Sequence, residues 1–251
     1  MFRWLLVGAA FIAAPTISVP AQAGAAQPGG AARHHFAAVA VRAVSHLGYT
    51  SSYAFVEAPA FARTKPLGSA TVVGALRTQT FWGTSTVVLA LQQTGGSRSS
   101  SWTRVRLAQR PNNVTGWVPT RDLSPLRQVR TWLRVDRERL TATLIRDGRV
   151  VFKARVGVGQ LQWPTPAGQF FVEESLSPPE ANGLYGAFAF GTSAHSGVLT
   201  EWPNEGQIGI HGTNEPWLIP GHISHGCVRM RNADIVRLSK LMPVGTPITI
   251  T

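Results

Sequence analysis

The chain has 251 residues, 44% of them hydrophobic, enough for one large core or two modest ones, which excludes an intrinsically disordered protein. Its formal net charge is +12 and unevenly spread: residues 24–125 hold ten Lys/Arg against two Asp/Glu, residues 126–251 thirteen against ten. The 25 Gly and 17 Pro break the apolar text into short runs, which excludes a helical bundle and points to a mainly β fold.

At the N-terminus, Arg3, an apolar run from Trp4 to Val19 and the small residues of Ala21-Gln22-Ala23 read as a signal peptide over 1–23, cut after Ala23. Pro15 and Pro20 leave the run poorly suited to spanning, so no stable membrane span is expected after cleavage. Export to the cell envelope follows. It makes nucleic acid an unfit partner and leaves the basic first half either to an anionic wall polymer or lipid headgroup, or to solvation alone. Residues 24–53 read as a flexible leader: Gly24 to Arg33 is Ala, Gly and Pro rich, and Phe36 to Leu47 suits a short helix as well as a strand.

From 54 to 126 short strands alternate with turn clusters, at Ala70 to Leu76, Thr86 to Leu91, Trp102 to Leu107 and Gly116 to Val118, with a hairpin loop over Thr94 to Ser101. Such spacing predicts a small β-barrel. The strand Trp102-Thr103-Arg104-Val105 and the ending Thr115-Gly116-Trp117-Val118-Pro119 resemble bacterial SH3-like domains, which implies either a wall-peptide binder or a spacer for the next domain.

The second unit covers 127–251. Trp132 to Val135 and Leu140 to Ile145 alternate as strands, and Arg146-Asp147-Gly148-Arg149 is an Asp-Gly turn into a strand over Val150 to Val158. Gln207 to His211 puts Ile208 and Ile210 on one face and delivers His211 at the strand end. One helix is predicted over Asn232 to Met242, capped by Asn232, with Ile235, Leu238, Leu241 and Met242 on one face; Pro243-Val244-Gly245 stops it before a closing strand, Ile248 to Thr251.

Exported proteins ordinarily use cysteines in pairs, yet Cys227 is alone. Three of the seven histidines, His211, His222 and His225, lie within the seventeen residues that end at Cys227, with Gly212, Gly221 and Gly226 beside them. A thiol becomes a nucleophile when a base or positive charge raises its thiolate fraction, and Arg229 and Arg231 follow closely, so thiolate formation is expected to be favoured. Spacing alone leaves both His225, at i−2, and His211, from another strand, as the base.

The segment Ile210-His211-Gly212-Thr213, followed by Ser224-His225-Gly226-Cys227-Val228-Arg229-Met230, resembles the signature of L,D-transpeptidase (YkuD-type) catalytic domains. Trp163-Pro164-Thr165-Pro166-Ala167-Gly168-Gln169-Phe170 resembles a second stretch of that family, and the likeness runs from about Arg130 to the C-terminus. It implies a β-sandwich behind the barrel, Cys227 as nucleophile, His211 as its base and the Gly212 carbonyl orienting the imidazole. It further implies that Ser224, His225 and Gly226 shape the thiolate and oxyanion surroundings, with N–H groups near Gly226 and Cys227 as oxyanion donors. Arg229 would hold the site or a substrate carboxylate, and Tyr185 would line the donor cleft. The substrates implied are peptidoglycan tetrapeptide stems, as donor and acceptor, with no cofactor. Two departures stand out: only twelve residues separate His211 from Ser224, and position 212 is Gly.

Two rival readings come from the same residues. His211, His222, His225 and Cys227 are four ligand types suited to tetrahedral zinc in a hydrolase, although the spacing is unlike structural sites. Alternatively, the basic first unit binds wall and the second is inert.

Overall fold

The computed structural model describes residues 40–46 and 48–251; the expected signal peptide (1–23) and residues 24–39 of the expected leader lie outside them. The described chain is mainly β, and its residues lie in one compact unit.

The first sheet contains β1 (Val41–Ala43), β2 (Ser51–Phe55), β3 (Ala60–Arg63), β4 (Val72–Leu76), β5 (Val87–Thr94), β6 (Trp102–Arg106), β7 (Thr115–Pro119) and β8 (Arg127–Val129). Its order is β4-β3-β7-β6-β5-β2-β8, with β1 also on β5, and every pairing is antiparallel. The expected leader is corrected at its end: β1 and β2 already belong to this sheet. Hydropathy does not reveal β2 because Ser51 and Ser52 are buried as polar residues. Ser52 is satisfied there, its Oγ donating to Val44 O at 2.6 Å and its N–H donating to Ser45 Oγ at 2.7 Å. The lack of alternation in Val87-Val88-Leu89-Ala90 also has a cause. Val88 faces the core of the first sheet, while Val87 and Leu89 face Phe171 of the second unit, so β5 is buried on both faces.

The second sheet contains β9 (Thr131–Asp136), β10 (Thr141–Arg146), β11 (Arg149–Arg155), β12 (Gly157–Gly159), β13 (Gly168–Leu176), β14 (Ala189–His195), β15 (Gln207–His211), β16 (Gly221–Ser224), β17 (Val228–Arg229) and β18 (Pro247–Ile250). Its order is β11-β10-β9-β18-β13-β14-β15-β17-β12-β16. Leu133, Leu144 and Phe152 of one half share a single core with Val158, Ile208, Ile210 and Val228 of the other, which makes a sandwich of the sheet. The Asp-Gly turn forms as expected, Asp147 at φ 51° and Gly148 at φ 74° closing the β10–β11 hairpin. The apolar run to Val158 is cut after Arg155, because β12 leaves the hairpin and pairs with β16 and β17 in the other half.

Among the described residues two α-helical segments are present, α1 (Pro203–Gly206) and α2 (Asn232–Ser239), beside short 3-10 turns at Thr120–Asp122 and Pro216–Leu218. In α1, Asn204 and Glu205 have φ near +50°, a left-handed turn. The predicted helix is α2, with Ile235 and Leu238 buried, but it ends at Ser239 rather than Met242, and Asn232 is not its cap. The N-cap is Arg231, with no side-chain cap bond, and the Asn232 carboxamide is drawn elsewhere.

The first sheet docks on the second through a polar network as well as through Phe171. Thr80 and Thr84, in the turn before β5, each donate a hydroxyl to Glu174 Oε2 at 2.7 Å, and Trp82 Nε1 donates to Gln207 Oε1 at 2.8 Å. Gln207 Nε2 in turn donates to Glu173 Oε2 (3.1 Å), Glu174 Oε1 (3.3 Å) and Thr192 O (3.2 Å). Neighbours on a strand normally face opposite sides, but the β13–β14 register shifts between Val172 and Glu174, and this irregularity turns both carboxyls toward Gln207.

Candidate active site

Strand β17 runs parallel to β15 and pairs Val228 with Ile210 and Arg229 with His211. The residue before β17, Cys227, is thereby level with Gly209, and two residues further along the same face of β15 stands His211. Gly209 leaves the face between thiol and imidazole bare. A Cβ there would sit 3.8 Å from Cys227 Sγ and 3.6 Å from His211 Cδ2, in the space between them. The Gly209 N–H points at Sγ, 3.3 Å away.

His211 is buried, and its Nδ1 lies 2.6 Å from the carbonyl oxygen of Gly212. A carbonyl only accepts, so Nδ1 carries the proton and Nε2 keeps its lone pair. Tyr185 packs edge-on against the ring at 5.0 Å. Burial depresses the imidazole to about 4, with the Gly212 carbonyl opposing and Arg229 adding to the depression. The Cys227 thiol is pushed up by burial, only partly offset by the Gly209 N–H and by Arg229. The expectation of a ready thiolate is therefore corrected: desolvation outweighs the nearby positive charge, and the resting pair is thiol and neutral imidazole. Alkylation of Cys227 by iodoacetamide should accordingly keep accelerating from about pH 6 to about pH 9, in proportion to thiolate. A rate plateau at about pH 5 to 7, the mark of a thiolate–imidazolium pair, would overturn this.

The turn that presents Cys227 is built from Ser224. Its Oγ donates to Cys227 O at 2.6 Å and accepts from Gly226 N at 3.1 Å, while Gly226 sits at φ 118°, where a side chain would be strained. The Ser224 hydroxyl and the Gly226 N–H are thus occupied in the turn. Of the two expected oxyanion donors, only the Cys227 N–H has no hydrogen-bond partner among the described residues. Thr165, in the Pro-rich stretch, clamps the turn from behind, donating to Gly226 O (2.7 Å) and accepting from Gly159 N (2.8 Å).

His225 is stacked between Trp163 and Trp202, with ring centroids 4.1 and 5.1 Å away. Arg229 is buried, with Nη1 2.9 Å from Glu215 Oε2 and Nε without a partner among the described residues. It lines the space beside Cys227 together with His225 and Tyr185. Asn232 ties the surrounding loops: its Oδ1 accepts from Thr213 N (3.0 Å) and Ala187 N (3.3 Å), which holds the Gly212 segment against the loop after Tyr185. A Cβ on Gly212 would collide with that oxygen at 2.2 Å, the physical reason for glycine at this position.

The zinc reading is overturned by where these side chains go. His222 is exposed and its Nδ1 lies 3.2 Å from Gly159 O, while His225 is held in the tryptophan stack; among the described residues no three His, Cys, Asp or Glu side chains converge as a ligand set. Gly209, Thr165, Glu215 and Asn232 escape sequence reasoning as site residues. Only Thr165 had a signal, its place in the Pro-rich stretch.

Residues 130–250 match the YkuD family model, an L,D-transpeptidase catalytic domain. The putative L,D-transpeptidase YkuD of Bacillus subtilis is 34% identical over 110 residues, 44% of this chain and 59% of that protein. The probable L,D-transpeptidase YbiS of Escherichia coli is 57% identical over 37 residues, 15% of this chain and 12% of that protein. The chain thus spans well under two thirds of these relatives. Among solved structures, an L,D-transpeptidase from Mycobacterium smegmatis aligns at TM-score 0.41 and 16% identity over 66% of this chain and 90% of that one. One from Enterococcus faecium aligns at TM-score 0.38 and 20% identity over 49% and 50%.

Proposed function

We propose that residues 130–250, which match the L,D-transpeptidase catalytic-domain model, transfer acyl groups of peptidoglycan stems through Cys227 in the cell envelope. The observation that carries the reading is the thiol and imidazole placed either side of the bare Gly209, with Nδ1 tied to Gly212 O so that Nε2 is free to take a proton.

As Sγ attacks the carbonyl carbon of the amide preceding the terminal D-alanine of a tetrapeptide stem, His211 Nε2 accepts the thiol proton. The Cys227 N–H donates to the developing oxyanion. The imidazolium then gives its proton to the amide nitrogen, the C–N bond breaks, D-alanine leaves and a thioester remains. An amine from the third residue of a neighbouring stem attacks the thioester and passes its proton to His211, and the thiolate that departs recovers that proton. A neutral resting pair suits this cycle because the proton moves only as the bond forms, and charge is then confined to the transition state. Arg229, held by Glu215 and lining the space beside Cys227, offers its positive charge to a substrate carboxylate. Tyr185 forms the opposite wall, and Ser224, Gly226 and His225 hold the shape of the thiol turn.

The test is intact mass after exposure to a tetrapeptide stem or to a carbapenem, with D-alanine assayed in parallel. An adduct confined to Cys227 and release of D-alanine from the stem are expected. Absence of both, with the thiol alkylating normally, would sink the assignment.

A further inference from the structure

The space in front of Cys227 opens in two directions of different chemistry. One side carries Arg229 and His225. The other is a cleft of about 300 Å³ that also reaches Cys227 and His211, walled by Trp202, Tyr185, Pro178 and Trp82, and no Asp, Glu, Lys or Arg lines it. Trp82 comes from the first sheet, 145 positions before the thiol (227 − 82). It is 45% exposed, so its indole is available to a ligand, yet it is not loose. Its Nε1 is anchored on Gln207 at 2.8 Å, and Phe81 packs edge-on at 5.0 Å. Gln207 opens the strand that carries Gly209 and His211, so the indole is registered against the reacting groups.

We propose that Trp82 is a specificity-determining residue, by which the first sheet supplies one wall of a subsite for the alkyl portion of the amine acceptor. The inference rests on the acyl-transfer reading. An amine attacks a thioester only when unprotonated, and a cleft without carboxylates offers an ammonium ion no ion pair, only aromatic faces, so desolvation there favours the neutral amine. Flat indole faces contribute apolar contact along an alkyl chain without demanding a hydrogen bond. Donor carboxylates find their complement on the other side, at Arg229.

The experiment uses the full chain, a tetrapeptide stem as donor and linear amines from methylamine to hexylamine as acceptors. In the parent, KM for the amine should fall as the chain lengthens. In Trp82→Ala the KM for hexylamine should rise about tenfold and the dependence on length flatten, with D-alanine release in the absence of amine unchanged. Trp82→Phe keeps an aromatic wall without the Gln207 bond and should retain most of the length dependence, which separates a wall from a mere anchor of β15. Protection of Cys227 from iodoacetamide by hexylamine is measured alongside and requires no turnover. Protection in the parent that is lost in Trp82→Ala supports the wall even if no stem is cleaved, the outcome that would defeat the acyl-transfer reading alone. Equal length dependence in parent and Trp82→Ala, or no protection in either, overturns the proposal.

Discussion

Cys227→Ala should abolish D-alanine release, and His211→Gln should slow it by about 10²- to 10⁴-fold, the usual worth of a positioned general base. The second figure follows from the resting protonation states. With the thiol raised and the imidazole depressed to about 4, little thiolate exists at neutral pH, so the attack depends on proton transfer to Nε2 during bond formation. Gln at 211 can keep a hydrogen bond to Gly212 O but offers no base of comparable strength. Thiol chemistry that bypasses the base should survive: at about pH 9 and above, iodoacetamide should alkylate Cys227 in His211→Gln at a rate within a few-fold of the parent. If acylation falls and alkylation falls equally at high pH, the substitution has disturbed the site and His211 is not shown to be the base. If acylation is unchanged, His211 is not the base.

The second large effect concerns folding stability, and it arises where the two sheets meet. Glu173 is 6% exposed, and burial together with the neighbouring charge of Glu174 raises its carboxyl to about 8. The folded protein therefore holds a proton that the unfolded chain releases near 4.5. Between those values the native state binds more protons than the unfolded one, so this group makes stability fall as pH rises, by at most about 1.4 kcal/mol per pH unit. Glu173→Gln keeps an oxygen to accept from Gln207 Nε2 and has no proton to lose. Its stability should match the parent near pH 5 and exceed it by about 3 kcal/mol near pH 8. Urea midpoints of both proteins across this range give the difference curve, in which other titrating groups such as His211 and His195 cancel. Parallel curves would mean that Glu173 is ionised in the native state.

The same network explains why the first sheet is more than an appendage. Glu174 is 2% exposed and its carboxylate takes two hydroxyl bonds from Thr80 and Thr84, so removing the first sheet would strip partners from a buried acid. That acid shares Gln207 with Glu173, and Gln207 begins the strand that carries Gly209 and His211. Stability and site geometry are coupled at one side chain.

From the amino-acid sequence alone came whatever depends on neighbours in the chain. The Asp147-Gly148 hairpin, the β15 strand ending at His211 and the buried Ile235 and Leu238 face of α2 all rest on propensity and periodicity within a few residues, and they appear where expected. The likeness of 130–250 to a catalytic family is equally local, carried by short motifs. Tertiary structure decided what depends on distant partners. Cys227 stands level with Gly209 because β17 lies beside β15, Asn232 leaves the helix cap because Thr213 and Ala187 offer it N–H groups, and Trp82 lines the cleft because the first sheet packs against β15. Such contacts join segments whose residues look ordinary in isolation, a tryptophan in a turn or a glutamine at a strand start. Desolvation is likewise a property of the packed state, which is why Cys227 reads as a thiolate beside arginines in the sequence and rests as a thiol in the fold.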